Sequence, residues 1–130
     1  MQHAHAITEA DRRRGQAQLL MRLFDRWSLN QAQMANLLDV SASSRATLKS
    51  YETGARGIGS GRDIQQRAGY LLGIHKALRL LYPQNEEMRY GWVSKRNQYF
   101  DNRTPLEIML EQGLIGIARV YECLNFLRGH

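Results

Sequence analysis

The sequence predicts an all-α protein, and three observations carry that prediction. Apolar residues return every three or four positions in one stretch after another, the period of a helix with one buried face. Ser, Thr and Asp stand where helix starts need caps, and Gly or Pro stand where helices must stop. No run alternates apolar with polar residues as a half-buried strand does. A hydrophobic content of 43% over 130 residues supports one ordinary core, or two small ones that share an interface.

Residues 1–10 read as a loose tail. Its His3 and His5 lack further ligand-type neighbours and read as solvated rather than metal-binding. From about 9 to 27, Ala17, Leu20, Leu23, Phe24 and Trp27 form the first helical stripe. Arg12, Arg13 and Arg14 begin that helix, where cations oppose its dipole. They are either phosphate contacts or a solvated basic patch. Ser28 with Gln31 fits a capping box for a second helix, with Met34, Ala35, Leu37 and Leu38 inward.

Asp39 then stands where a left-handed residue is needed, a conformation Asp tolerates less easily than Gly. Ser41, Ser43 and Ser44 offer caps for a third helix. Leu48 and Tyr51 supply its buried face, and Gly54 stops it. Two short helices, the second basic and polar outside, make a helix-turn-helix, which lays its second helix in the DNA major groove.

The glycine-rich stretch 54–62 has neither the preceding strand nor the lysine of a phosphate loop, so it reads as a flexible connector open to proteolysis near Arg56 or Arg62. Asp63 with Gln66 is a second capping signal. A long helix follows to about Leu81, with Ile64, Ala68, Leu71, Leu72, Leu78 and Leu81 inward. It is ended by Tyr82-Pro83, because the residue before proline disfavours helix. A short helix over 86–95 places Trp92 on its apolar side. Thr104-Pro105-Leu106-Glu107 is a further helix start, Gly113 punctuates it, and 114–127 forms the last helix with Ile117, Val120, Leu124 and Leu127 on one face.

Lys and Arg outnumber Asp and Glu by 18 to 12, a net charge of +6. Residues 1–70 hold ten basic and six acidic groups (+4), and 71–130 hold eight and six (+2), so the excess leans towards the helix-turn-helix. The single Cys123 excludes an internal disulfide and a cysteine metal cluster, and its apolar neighbours read as a buried structural thiol. No apolar run approaches a membrane span and no signal-peptide pattern opens the chain, so a cytoplasmic protein is expected. No paired carboxylates, nucleophile–base pair or metal cluster suggests an enzyme, and no cofactor is expected.

For DNA, the polar members of the third helix are Ser44, Arg45, Thr47, Lys49 and Ser50. Arg45 has the greatest power to discriminate, because arginine bonds both acceptors of guanine. Gln31, at the start of the second helix, is placed to touch a phosphate, and Arg56 is a candidate phosphate clamp. A homodimer is expected, since one short helix reads few bases.

Beyond the DNA reader, the segment 71–78 (Leu71-Leu72-Gly73-Ile74-His75-Lys76-Ala77-Leu78), Trp92, Asn97, Phe100, 104–107 and the run Gly116-Ile117-Ala118-Arg119-Val120 together resemble the toxin-binding domain of Xre/MbcA/ParS-type antitoxins. The first half is similar to the helix-turn-helix domain that precedes it in that family. Three departures stand out. Arg96 precedes Asn97 where members often have Pro, Asp101-Asn102 replaces a common Gly pair, and the connection before the third helix is about three residues longer.

The resemblance implies a helix-turn-helix domain over 1–62 and a helical toxin-binding domain over 63–130. It implies a RES-domain, NAD-consuming toxin as partner, neutralised by direct binding, and the operon's own promoter as DNA target. In such proteins the C-terminal region sits at the mouth of the toxin's active site, which points to Arg119, Glu122, Asn125, Arg128, Gly129 and His130. A stand-alone helix-turn-helix repressor is the alternative.

Overall fold

The computed structural model describes residues 6–41 and 43–129, and His3, His5 and His130 lie outside them. Seven α-helices carry the described chain: α1 Glu9–Arg26, α2 Gln31–Leu38, α3 Arg45–Thr53, α4 Arg62–Leu81, α5 Glu86–Gly91, α6 Pro105–Gln112 and α7 Leu114–Leu127. Among the described residues there is no β-strand, only one antiparallel bridge between Asn97 and Arg103.

Helix α1 starts on a reciprocal cap. The Asp11 N–H donates to Thr8 Oγ1 at 3.0 Å, and the Thr8 N–H donates to the Asp11 carboxylate at 3.3 Å. The three arginines that follow are matched one by one. Arg12 pairs with Glu9 at 2.8 Å, Arg14 pairs with Asp11, and Arg13 donates to the carbonyl of Ile58 at 3.3 Å. Two acids in the first turn thus offset the dipole objection.

The second helix is capped by Asn30, not by Ser28. Asn30 Oδ1 accepts the Gln33 N–H at 2.8 Å, and Gln33 Oε1 accepts the Asn30 N–H at 2.9 Å. Ser28 is claimed by the end of α1. It takes φ 58°, and the Ser28 and Leu29 N–H groups close onto the carbonyls of Asp25 and Phe24. Asp39 repeats this closure at the end of α2, with φ 55°, as the sequence predicts. Ser44 precedes α3 without a side-chain cap, its backbone (φ −86°, ψ 35°) lying outside the extended region that a capping residue takes, and Ser41 Oγ is engaged with Ser43.

The glycine-rich stretch is not a loose connector. Ile58 is fully buried, its N–H donates to the Arg13 carbonyl at 3.2 Å, and its carbonyl accepts from the Arg13 side chain. A Cβ on Gly57 would stand 2.7 Å from the backbone of Arg13 and Arg14, so only glycine lets the segment lie this close to α1. Helix α4 then starts from Gly61 rather than from an Asp63 cap, and Asp63 instead takes Arg67 Nε at 2.8 Å.

Helix α4 packs against α1, α2, α5 and α7, and one hydrophobic cluster runs from Leu20 and Phe24 of α1 through Leu71, Ile74 and Leu78 to Val120 and Leu124 of α7. Among the described residues the one buried charged side chain, Arg67 of α4, reaches the carbonyls of Asn36 (3.4 Å) and Leu37 (3.2 Å) at the end of α2. Asn36 Nδ2 donates in turn to the Leu110 carbonyl of α6 at 3.1 Å.

Helix α5 is shorter than the 86–95 span expected. It gives way at Gly91 to a 3-10 turn, Trp92–Ser94, and Trp92 is buried as its spacing implies. A second 3-10 turn, Gln98–Phe100, leads to Asp101 and Asn102, which take φ 54° and 64°. These two residues therefore adopt the left-handed backbone for which a glycine pair is suited. Thr104 caps α6 through the Glu107 N–H at 3.0 Å, with Pro105 in the first turn. Helix α7 keeps its predicted bounds, but Leu127 is half exposed instead of inward, Leu124 being the last residue of the helix that is fully buried.

Candidate functional site

Leu48 and Tyr51 anchor α3 in the core, and its outward arc is Arg45, Ala46, Lys49, Glu52 and Thr53. Arg45 and Lys49 share a cleft of about 430 Å³ with Gln31, Met34, Met21, Leu48 and Glu52. Three of the expected DNA contacts, Gln31, Arg45 and Lys49, are thereby brought together across the α2–α3 corner. Glu52, absent from that expectation, stands among them and pairs with Lys49 at 3.6 Å.

Thr47 and Arg56 form a second group. The Arg56 guanidinium donates to Thr47 Oγ1 at 3.4 Å, and the Arg56 N–H donates to the Ser50 carbonyl at 3.2 Å. Ser50 is half buried and its hydroxyl donates to the Ala46 carbonyl at 2.9 Å, so its proton is already engaged within α3. Ser44 is half buried at the helix start. Burial raises the pKa of the Tyr51 phenol above its ordinary value, with Arg56 acting in the opposite direction. Arg12 and Arg14 are paired with acids and Arg13 holds Ile58, so the triplet serves local structure.

At the other end of the chain, Arg119 is exposed, donates to Gln112 Oε1 at 2.7 Å, and lies over the Phe100 ring at 5.8 Å. Glu122 is exposed. Asn125 is half buried and accepts from Arg128 at 3.4 Å, and Gly129 is exposed with φ 86°. Ile115 (71% exposed) and Phe126 (68% exposed) are apolar side chains in water that the sequence reading passed over. They join Arg119 and Glu122 at the spacing i, i+4, i+7, i+11, a single stripe along the outside of α7. Tyr99 flanks it, its ring 6.5 Å from Phe126. Two large apolar residues, Ile115 and Phe126, set off the core positions Ile117, Val120, Cys123 and Leu124 and in line with Arg119 and Glu122, are the signal that marks this stripe in the sequence.

Cys123 is buried on the inner face of α7, and desolvation pushes its thiol up to about 11, the opposite of what a nucleophile needs. Among the described residues no group of three or more His, Cys, Asp or Glu stands close enough to hold a metal ion, and no helix is long and apolar enough to cross a membrane.

Comparison with known proteins divides the chain in the same way as its two surfaces. Residues 6–73 match the antitoxin Xre-like helix-turn-helix domain, and residues 77–129 match the antitoxin Xre/MbcA/ParS C-terminal toxin-binding domain. The two matches meet inside α4. The chain is also similar to "Uncharacterized protein y4oB" of Sinorhizobium fredii (strain NBRC 101917 / NGR234), 31% identical over 108 residues, which cover 83% of this chain and 80% of that protein. No solved structure matches.

Proposed function

The chain belongs to the Xre-like antitoxins, and from that membership we propose that it neutralises a RES-domain, NAD-consuming toxin by direct binding while repressing its own operon through α3. The observation that carries this reading is the pair of family matches on one chain, each coinciding with a distinct outward surface. The cleft holding Gln31, Arg45 and Lys49 is the DNA-facing one, with Thr47, Ser50, Ser44 and Arg56 around it. Arg45 reads a base edge, and Arg56 and Gln31 hold phosphates. Two copies bind paired half-sites.

The outer face of α7 docks the toxin. Ile115 and Phe126 provide the apolar anchors, and Arg119 and Glu122 set register between them. Beyond Leu127, the segment of Arg128, Gly129 and His130 extends towards the toxin's pocket, where a cationic tip suits a site built for a phosphate-bearing dinucleotide. The protein contributes no catalysis of its own. It acts in the cytoplasm, where both partners are found.

Co-expression with the product of the neighbouring gene tests the proposal. The expected result is a stable complex that abolishes NAD loss in cells and shifts the operon's promoter in a gel. A protein that shifts the promoter but captures no neighbouring-gene product and leaves NAD loss unchanged is a stand-alone repressor.

A further inference from the structure

We propose that the cleft between α1, α4 and α5 is a phosphate-binding site, in which Arg22, Arg26 and Arg79 supply charge and His75 supplies a ring N–H. The cleft holds about 230 Å³ and is lined by Leu19, Arg22, Leu23 and Arg26 of α1, His75 of α4 and Tyr90 of α5. It lies away from the outer face of α7, and neither the DNA reading nor the toxin reading uses its His75–Tyr90 pair.

Its construction is unusual for a solvated surface. The His75 ring stacks on Tyr90 at 5.8 Å with 24° between planes. Arg26 and Arg89 both lie over that same Tyr90 ring, at 5.1 and 5.8 Å. Arg89 is fixed in place by bonds to the carbonyls of Tyr82 (3.1 Å) and Pro83 (2.8 Å). Arg79 stands one helical turn from His75 on α4. Against these cations stand the exposed Glu86, paired with Arg26 at 2.8 Å, its neighbour Glu87 on α5, and Asp25 beside Arg22 and Arg26 on α1. Among the described residues neither Arg22 nor Arg79 has an acidic partner.

The imidazole reports this environment. Its Nδ1 is buried and without a partner, so a proton there would be an unsatisfied buried donor. Nε2 is thus the nitrogen left for a ligand, and an anion that accepts from it fixes the ring proton there. Burial first, and then the charges of Arg79 and Arg89, lower its pKa below the ordinary histidine value. A group kept neutral by surrounding cations is the environment that an anion relieves. Two guanidinium forks from α1, with the His75 ring across the cleft and the charge of Arg79 one turn further along α4, suit the several oxygens of a phosphate better than a single carboxylate. The phosphate comes either from a free phosphate ester or from the backbone of bound DNA, since the arginines of α1 also border the groove that continues past Met21 and Met34 towards α3.

Titration of the full-length protein with inorganic pyrophosphate at constant ionic strength, followed by the imidazole NMR signals, tests the site. The His75 signal is identified by its loss in His75→Gln. The expected result is a saturable shift of that signal and a rise in its apparent pKa when pyrophosphate is bound, because the anion favours the imidazolium. Arg22→Gln with Arg79→Gln should abolish both at unchanged melting temperature. Arg22→Lys with Arg79→Lys keeps the charge without the fork and should bind about tenfold more weakly. If pyrophosphate has no effect but a short DNA duplex shifts the His75 signal in the wild type and not in the Gln pair, the phosphate is that of the DNA backbone. A non-saturating shift equal to that of sodium chloride, or a saturable shift that survives in the Gln pair, overturns the site.

Discussion

Arg45 and Arg56 occupy different places around α3, and the difference sets what each can read. Arg45 stands at the first helical position, exposed, beside Gln31 and Lys49 in one cleft. A side chain there reaches base edges when the helix enters the major groove. Arg56 lies past the helix and is held against Thr47. Arg45→Ala is therefore expected to weaken binding to the cognate promoter by about 1–3 kcal/mol and to relax preference at one base position. Arg56→Ala should weaken cognate and random DNA alike and flatten the salt dependence. Gel shifts at two salt concentrations separate the two, and unchanged selectivity in Arg45→Ala would mean that another residue reads the base. Cys123 offers a residue-scale test of the core. Its thiol is raised from 9.0 to about 11 by burial. Its contribution is fully present below the unfolded value near 9 and is lost as pH climbs towards 11, because the unfolded chain gives up that proton first. Melting curves at pH 7.5 and pH 10 should show a larger alkaline loss in the wild type than in Cys123→Ala. An equal loss in both assigns the alkaline sensitivity elsewhere, Tyr51 being the next buried acid with a raised pKa.

Helix ends were legible wherever the whole signal is local. Thr104-Pro105 opens α6, Gly54 closes α3, Tyr82-Pro83 closes α4, and the span of α7 follows from its apolar period. The misplaced cap at Ser28 has a physical reason: two helices compete for the same short link, and the closure of α1 over the buried Trp27 takes Ser28 before α2 can. The glycine-rich stretch misleads in a related way. Glycine permits looseness and close approach equally, and which of the two applies here depends on Arg13, remote in sequence from Ile58. The outer stripe of α7 stands outside the core period, so the period that fixes the bounds of α7 does not reveal it. Trypsin should accordingly cut after Arg56 and Arg62 no faster than the chain as a whole unfolds, which amide exchange at Ile58 can time. Arg67 poses the matching test between elements. It joins α4 to the last carbonyls of α2, and Arg67→Ala takes the guanidinium from the buried Leu37 carbonyl, while the Asn36 carbonyl keeps the Asp39 N–H. The expected loss is about 1–3 kcal/mol in thermal unfolding, with weaker promoter binding, since α2 sets where α3 begins. A stable variant with unchanged promoter affinity would show that water replaces the guanidinium.

On the scale of the whole molecule, the division at 62/63 expected from the sequence predicts that residues 63–130 protect cells from the toxin on their own. The packing argues otherwise. Leu71, Ile74, Ala77 and Leu78 of α4 belong to the same cluster as Leu20, Leu23, Phe24 and Trp27 of α1, and Arg67 and Asn36 add polar ties between α2 and the helices after it. A fragment starting at Asp63 uncovers that face of α4. Each large apolar side chain so exposed gives up about 1.5–3 kcal/mol of burial, against a total stability of only about 5–15 kcal/mol for a domain. The fragment should therefore be partly unfolded and a poor antitoxin, although the outer stripe of α7 lies entirely within it. The full chain carrying Arg45→Ala and Lys49→Ala separates this from any need for DNA binding. It should lose the promoter and still neutralise fully, whereas full-length Ile115→Asp with Phe126→Asp should keep the promoter and the melting temperature and lose the toxin. Arg128 and Gly129 are not among the buried core side chains, and removal of Arg128, Gly129 and His130 should weaken neutralisation while leaving helicity and DNA binding intact. Circular dichroism melts and toxin-rescue assays at matched expression read all four. Cooperative unfolding and full rescue by 63–130 would show that α7 and its supports stand without α1, and that the shared core serves only to couple DNA binding to toxin binding.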